Sequence, residues 1–358
     1  MHSNIYKLDG PNIFLQRLLS ILPSYIECEN IAIVTPDYRW INKIPKDKKV
    51  LIVGRLNGAF YYKFSPKNII NFLKQRGFRI PVSLCRILSS APDITSPVFT
   101  MPINKYLNRA SQWVQRESDI IVFQSELSKK MQDRFVSTEY KKKPYRVIYN
   151  GLDTAEFSPV KKNTNLLSGN PALLISGYFR LHKRLQDAIL LTNHLSKKMP
   201  EVKLNILGDM DKLTENIVRK LDLSKVVFHG SKDPGDLPSY YASADVMLSM
   251  TVFDACPNVV IEGMASGCPV ITNSSSGAAE LVGYKEMIVD EFINSDWMEL
   301  HNDKAIPHID ITVWSEKIIY IYKNLNIFRE RVRERTVDKF DIKIIANKYA
   351  EFISEHMN

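Results

Sequence analysis

At 358 residues, 45% hydrophobic and 24% charged, the chain exceeds one ordinary domain and has the composition of a folded globular protein, which argues against disordered and fibrous classes. Its formal net charge of +9 comes from the first part: residues 1–160 hold 24 Lys and Arg against 13 Asp and Glu, whereas residues 161–358 hold 24 against 26. Such a basic half suits a solvated surface or an anionic partner, a membrane face or an acidic glycan; the lack of a recognition motif argues against nucleic acid.

In chain order, Gly10-Pro11 precedes Ile13, Phe14, Leu15, Leu18, Leu19 and Leu22, a spacing that predicts an amphipathic helix with proline in its first turn. Short apolar runs at 31–34, 49–53, 119–123 and 146–149 predict strands, and Ser125 is placed to cap a helix over 126–135. The polar stretch 158–171 reads as a linker between domains. The alternation then restarts. Strands are expected at 172–176, 203–207, 226–229, 245–249 and 269–272, with helices over 185–198, up to 244, and over 259–265. The run 341–357 is amphipathic and predicts a final helix.

Buried apolar strands alternating with helices predict parallel sheets covered on both faces, here as two α/β doubly wound units. Such units bind ligands outside the carboxyl ends of their strands, so the cleft between them is the expected site. Dehydrogenases, ligases and transferases all share that plan. No GxGxxG follows the first strand of either unit, which argues against a dehydrogenase. The four cysteines, Cys28, Cys85, Cys256 and Cys268, form no CxxC pair and no zinc spacing. A reduced, cytoplasmic protein follows as the expectation, as no signal segment and no run of roughly 18 apolar residues is present.

The most specific segment runs from Phe253 to Ile271. Asp254 falls in a loop after a strand, and Glu262 follows about one turn into a helix beginning near Asn258. A helix start offers unpaired backbone N–H groups and a positive dipole end, a seat for a diphosphate. Pro257 has no N–H to give, whereas Asn258 and Val259 do. The Glu262 carboxylate can accept hydrogen bonds from vicinal hydroxyls such as those of a ribose.

At Glu262-Gly-Met-Ala-Ser-Gly-Cys-Pro-Val270 the chain resembles the retaining GT-B glycosyltransferases of family 4, whose signature is an acidic residue, seven residues, then Glu and Ala-Met-Ala-x-Gly-x-Pro-Val. Asp254 stands where the family usually has Glu. Asn150-Gly-Leu-Asp-Thr-Ala-Glu-Phe157, Gly177 to Leu185, and Val227-Phe-His-Gly230 with Tyr240 to Asp245 are similar to further family elements, and Ser276-Gly277…Glu280 is similar to its Gly-Gly…Glu turn. The resemblance implies a GT-B fold, two Rossmann-like domains facing across a cleft: 1–160 on the acceptor side, joined by the returning helix 338–358, and 165–337 binding the nucleotide sugar.

It also implies roles. Asp254, Arg180 and Lys183 are the expected catalytic residues, the first on the donor sugar and the two cations on the leaving diphosphate. Glu262 is expected on the ribose, and Cys256, Pro257, Asn258, Val259 and Val260 on the sugar and phosphates. Gly10, Gly208, His229 and Gly230 complete the expected donor site, the loop after His229 lying near the nucleobase. Many family members place a histidine in the first domain near the reacting carbon. None occurs here between His2 and His182, which leaves Arg55, Asn57 and Gln124, at strand ends, as acceptor-side candidates with Ser125.

The implied activity is retaining, metal-independent transfer of a hexosyl or pentosyl group from a UDP- or GDP-type sugar to a hydroxyl of a glycan, glycolipid or glycoprotein, with no cofactor. The acceptor would be a glycan or lipid-linked, with peripheral membrane contact through the basic first domain. The rival readings are a non-catalytic sugar-nucleotide-binding subunit and another GT-B enzyme such as a nucleotide-sugar epimerase.

Overall fold

A computed structural model describes residues 6–8, 13–26, 31–34, 51–56, 108–159, 165–252, 254–291 and 309–357. Two separate parallel sheets organise them. The first contains β1 (Tyr6–Leu8), β2 (Ile31–Val34), β3 (Leu51–Leu56), β4 (Ile120–Phe123) and β5 (Tyr145–Val147), in that spatial order. Every neighbouring pair is parallel. Helices α1 (Ile13–Ile21), α2 (Arg109–Glu117) and α3 (Glu126–Phe135) belong to this half. Ser125 caps α3, its Oγ accepting from the Ser128 N–H at 2.9 Å.

The second sheet holds β6 (Ala172–Ser176), β7 (Lys203–Leu207), β8 (Val226–Gly230), β9 (Val246–Ser249), β10 (Val270–Asn273) and β11 (Ile288–Val289). Their spatial order is β11-β10-β9-β6-β7-β8. The chain therefore winds outward from β6 to β8, returns to the other side at β9, and winds outward again. The switch point lies between β6 and β9, where the loops leaving the two strands diverge and open a crevice. Residues 172–175 of β6 and 246–249 of β9 are buried without alternation. Successive strand side chains point to opposite faces, so both faces of this sheet are covered.

Helices α4 (Leu185–Leu195), α5 (Lys212–Val218), α6 (Leu237–Ser243), α7 (Asn258–Ala265), α8 (Ala278–Val282), α9 (Ile311–Lys323) and α10 (Leu325–Phe340) supply that cover. The sequence reading did not place α5, α8, α9 or α10. The last has so little apolar contrast between its faces that periodicity barely marks it, yet Phe328, Val332 and Phe340 are buried.

Two strands of chain pass between the halves side by side. Leu152 N–H donates to the Phe340 carbonyl (3.1 Å) and Ile342 N–H to the Leu152 carbonyl (2.8 Å). Leu152 and Phe157 already pack in the core of the second sheet, so the crossing begins ahead of the polar stretch 158–171. The closing helix α11 (Ile342–Ser354) starts on an Asp341 side-chain cap and buries Ile345, Tyr349 and Ile353 against Phe14, Leu18 and Val53 of the first half.

Candidate functional site

A cleft of about 630 Å³ opens at the carboxyl ends of β6 and β7, walled by α7 and closed from the first half by α1. Gly177, Tyr178, Gly208 and Asp209 line its floor; Asn258, Val259 and Glu262 come from α7; Tyr241 comes from α6; Gln16 and Arg17 come from α1. Ser231, Lys232 and Pro234, after β8, form the far end.

Close approach of the backbones shapes the floor. A Cβ on Gly208 would meet the Gly177 carbonyl oxygen at 2.0 Å, and its φ of +121° is open to glycine and strained for other residues. Glycine at 208 lets the loops after β6 and β7 lie against each other, whereas Gly177, with open space where a Cβ would stand, is set by its φ of +137°.

Glu262 is the deepest charge in it, its side chain 7% exposed. Its Oε1 accepts from both Nη1 and Nη2 of Arg17 at 3.4 Å, and its Oε2 from the Tyr241 hydroxyl at 3.3 Å. Tyr241 in turn meets the Ser176 hydroxyl at 3.1 Å. Burial pushes the Glu262 carboxyl above the usual carboxylate range; Arg17 and Tyr241 work against that rise, while the nearby Glu156 adds to it. Burial also drives the Tyr241 hydroxyl well up, so it stays protonated and donates.

Lys183 and Asp254 form a second polar pair. Lys183 closes the short 3-10 turn Leu181–Lys183, and its Nζ lies 3.1 Å from Asp254 Oδ2, both side chains partly exposed. The turn is anchored from both sides. Val252 N–H donates to the His182 carbonyl at 3.2 Å. Arg184, fully buried at φ +56°, is held by Asp187 (2.9 Å) and Glu291 (2.7 Å).

The Asp254 carbonyl accepts from Gly277 N–H at 2.7 Å. A Cβ on Gly277 would sit 1.8 Å from the Ala255 carbonyl oxygen, so this glycine serves close approach and not an unusual φ. The same segment carries Glu280, whose Oε2 and Oε1 accept from the Glu126 and Leu127 N–H groups (2.9 and 2.7 Å) and whose Oε2 also accepts from the Tyr149 hydroxyl (3.0 Å). A carboxylate of the second half thus sits on the N-terminus of α3 in the first, where the exposed donors and the dipole favour negative charge.

The sequence-expected residues divide accordingly. Gly208, Asn258, Val259 and Glu262 line the cleft. Lys183 and Asp254 meet each other beside it. Arg180 is exposed, its guanidinium 5.5 Å from the Tyr178 ring centroid. Cys256 and Val260 face inward: Val260 is in the core, and the Cys256 thiol, pushed up to about 12 by burial, accepts from Asn150 N–H at 3.4 Å. Pro257 is buried beside them as the helix N-cap.

His229 turns away from the cleft. Its Nε2 lies 2.9 Å from Asn205 Oδ1 and its ring packs on Tyr240, while the loop after it, Ser231 and Lys232, reaches the cleft instead. Gly230 is one step below that loop, its carbonyl accepting from Gly208 N–H at 2.9 Å.

Arg55, expected to face the cleft, is fully buried. Its Nη2 donates to Asn150 Oδ1 and, at 3.3 Å, to Gln124 Oε1, and its guanidinium stacks 4.5 Å from the Phe14 ring centroid. The strand end that carries it is covered, so the charge is spent on internal partners and not on an acceptor. Asn150 relays the contact across the halves, donating from Nδ2 to Asn258 Oδ1 (2.7 Å) and to the Cys256 carbonyl (3.2 Å). Gln124 is buried with Arg55. Gly10 and Asn57 lie outside the described residues. Arg17, Tyr241 and Ser176 were not among the expected site residues, although Tyr241 falls within the family-like segment Tyr240 to Asp245 and Arg17 stands on the polar side of α1.

Comparison with known proteins agrees with this geometry. Residues 157–303 match the family model described as glycosyl transferases group 1. The chain is similar to an uncharacterized glycosyltransferase of Methanocaldococcus jannaschii, 26% identical over 45% of this chain and 42% of that one. It is also similar to the N-acetylgalactosamine-N,N'-diacetylbacillosaminyl-diphospho-undecaprenol 4-alpha-N-acetylgalactosaminyltransferase of Campylobacter jejuni, 27% identical over 58% of this chain and 53% of that one. The chain spans about two-fifths of the length of the first curated relatives it matches. Among solved structures, Anabaena HepE in complex with UDP superposes with a TM-score of 0.60 at 14% identity, over 96% of this chain and 82% of that one.

The fold is therefore GT-B, with two Rossmann-like parallel-sheet halves. Residues 157–303, which contain its second sheet, are similar to group 1 glycosyl transferases.

Proposed function

We propose that the protein transfers a glycosyl group from a nucleoside diphosphate sugar to an acceptor hydroxyl. The observation that carries this reading is the cleft at the carboxyl ends of β6 and β7, where a buried, hydrogen-bonded carboxylate, Glu262, stands one turn inside a helix whose start faces the same space. Glu262 would accept the ribose hydroxyls, and the α7 start and the glycine floor would take the diphosphate.

Lys183 and Arg180 would neutralise charge as the glycosidic bond breaks, in place of a metal, and Asp254 would contact the sugar being transferred. A cation on the departing phosphate lowers the barrier only because the charge grows in the transition state. The transfer is proposed to retain the anomeric configuration and to move a hexosyl or pentosyl unit.

A UDP-type donor is favoured by the likeness to a solved structure that holds UDP. A glycan or lipid-linked acceptor is favoured by the Campylobacter relative, whose name specifies a diphospho-undecaprenol acceptor. Contact with an anionic membrane face would then bring enzyme and acceptor together. Residues 35–50 and 57–107, outside the described residues, hold twelve Lys and Arg against three Asp and Glu and are where such contact is expected. No helix among the described residues is long and apolar enough to cross a membrane.

The test is a thermal-shift screen of UDP- and GDP-sugars followed by donor hydrolysis and transfer assays on wild type and Glu262→Ala. Stabilisation by one nucleotide class and turnover lost in Glu262→Ala are expected. Binding with neither hydrolysis nor transfer to any acceptor would favour a non-catalytic sugar-nucleotide-binding subunit, and no binding would end the reading.

A further inference from the structure

Helix α1 buries Phe14, Leu15 and Leu18 on one side, which leaves Arg17 on the side that faces the cleft. Arg17 crosses from the first half to the second. Both of its terminal nitrogens point at one oxygen of Glu262, and its guanidinium lies 5.4 Å from the Phe157 ring centroid. Tyr241 holds the other oxygen. Neither partner seals the carboxylate off, since Glu262 still lines the open cleft.

We propose that Arg17 is a positioning residue of the donor site, reaching across the cleft to fix the Glu262 carboxylate where two vicinal hydroxyls of a nucleotide ribose are accepted. The inference rests on the donor-site reading above. Among the described residues, three groups face Glu262 and set its charge: Arg17 from α1, the Tyr241 hydroxyl from α6, and Glu156 from the crossing segment. The α7 neighbours of Glu262 carry no charge. Arg17 is the sole cation of the three, and burial and Glu156 both oppose ionisation. A guanidinium has donors and no acceptor, so it cannot compete for the hydroxyl protons that the carboxylate must receive. Charge-assisted N–H···O bonds favour roughly 2.7–2.9 Å, and the 3.4 Å contacts leave room for tightening when the halves close on a ligand.

The experiment is calorimetric titration of wild type, Arg17→Met and Arg17→Lys with UDP, GDP and their 2′,3′-dideoxy analogues, between pH 6 and 8. Wild type is expected to bind one ribonucleotide and to prefer it over its dideoxy analogue. Arg17→Met should weaken that ribonucleotide roughly ten-fold or more, leave the dideoxy analogue unchanged, and lose more affinity as pH falls. Arg17→Lys, which keeps the charge without the fork, should recover part of the discrimination, and it carries the test if Arg17→Met does not fold. Unchanged discrimination in the variants would overturn the role of Arg17 and leave the donor site standing. An equal loss for both analogues would overturn it too, by placing Arg17 on the phosphates. A folded wild type that binds neither nucleotide would overturn the donor site itself.

Discussion

Replacing Glu280 by Ala should loosen the two halves of the molecule at a single defined place. The carboxylate accepts two backbone N–H groups at the start of α3 and one tyrosine hydroxyl. Ser125 would still serve Ser128, so one cap survives. The Glu126 N–H is exposed and can turn to water, whereas the Leu127 N–H and the Tyr149 hydroxyl are partly buried and would lose their acceptor. Loss of a helix cap costs about 0.5–2 kcal/mol, and an unsatisfied, partly buried donor about 1–3. Water reaches part of this site, so a net loss of roughly 2 kcal/mol is expected. Equilibrium denaturation measures the total, and hydrogen exchange at the Glu126 and Leu127 amides locates it. Glu280→Gln, which keeps one acceptor, should fall between. Unchanged exchange at those two amides in Glu280→Ala would refute the reasoning, whatever the global stability.

Three further outcomes follow from the structure. Gly277→Ala forces a Cβ against the Ala255 carbonyl, so the loop bearing Asp254 must move; the variant should lose donor turnover at temperatures well below its own melting transition, where it is still folded. Lys183→Ala should lower the rate of sugar transfer by about 10²-fold or more with a smaller change in donor KM, if the cation has its proposed role of acting on charge that develops as the bond breaks. His229 responds to pH. Asn205 donates from Nδ2 to two carbonyls, so its Oδ1 accepts and His229 Nε2 carries the proton. Burial, then Lys232, lowers the His229 pKa below the ordinary histidine value. The unfolded chain therefore takes up the proton first, and stability falls as pH drops from the ordinary histidine range through the lowered value. His229→Gln keeps a donor and cannot titrate, so its melting temperature should fall less than wild type between pH 7 and 5.5.

The second half was legible because its signals are local. An apolar run such as 172–176 between turn residues can be read as a buried strand, and Asp254 and Glu262 lie close enough in sequence to share one loop and one helix. What could not be read were partnerships made by the fold. Arg17 and Glu262 are 245 positions apart and meet only because α1 closes the cleft. Arg55 looked available at a strand end, yet β3 is covered on both faces there and the charge turned inward to Asn150. Cys256 and Val260 sit within the motif, but a helix start shows only part of its circumference to a ligand, and these two fall on the core side. Gly277 was recognisable as a backbone requirement, though its reason, the Ala255 carbonyl, comes from a loop more than twenty residues earlier.

The central claim is that the cleft around Glu262 holds a nucleoside diphosphate sugar for transfer. Calorimetric titration of the wild-type protein and Glu262→Gln with UDP-glucose, the corresponding GDP-sugars and the free nucleotides tests it most directly. The account predicts saturable one-site binding to wild type, at least ten-fold weaker in Glu262→Gln at equal stability, since the amide accepts from the ribose hydroxyls with one oxygen and no charge. Equal affinity in the two proteins would contradict it.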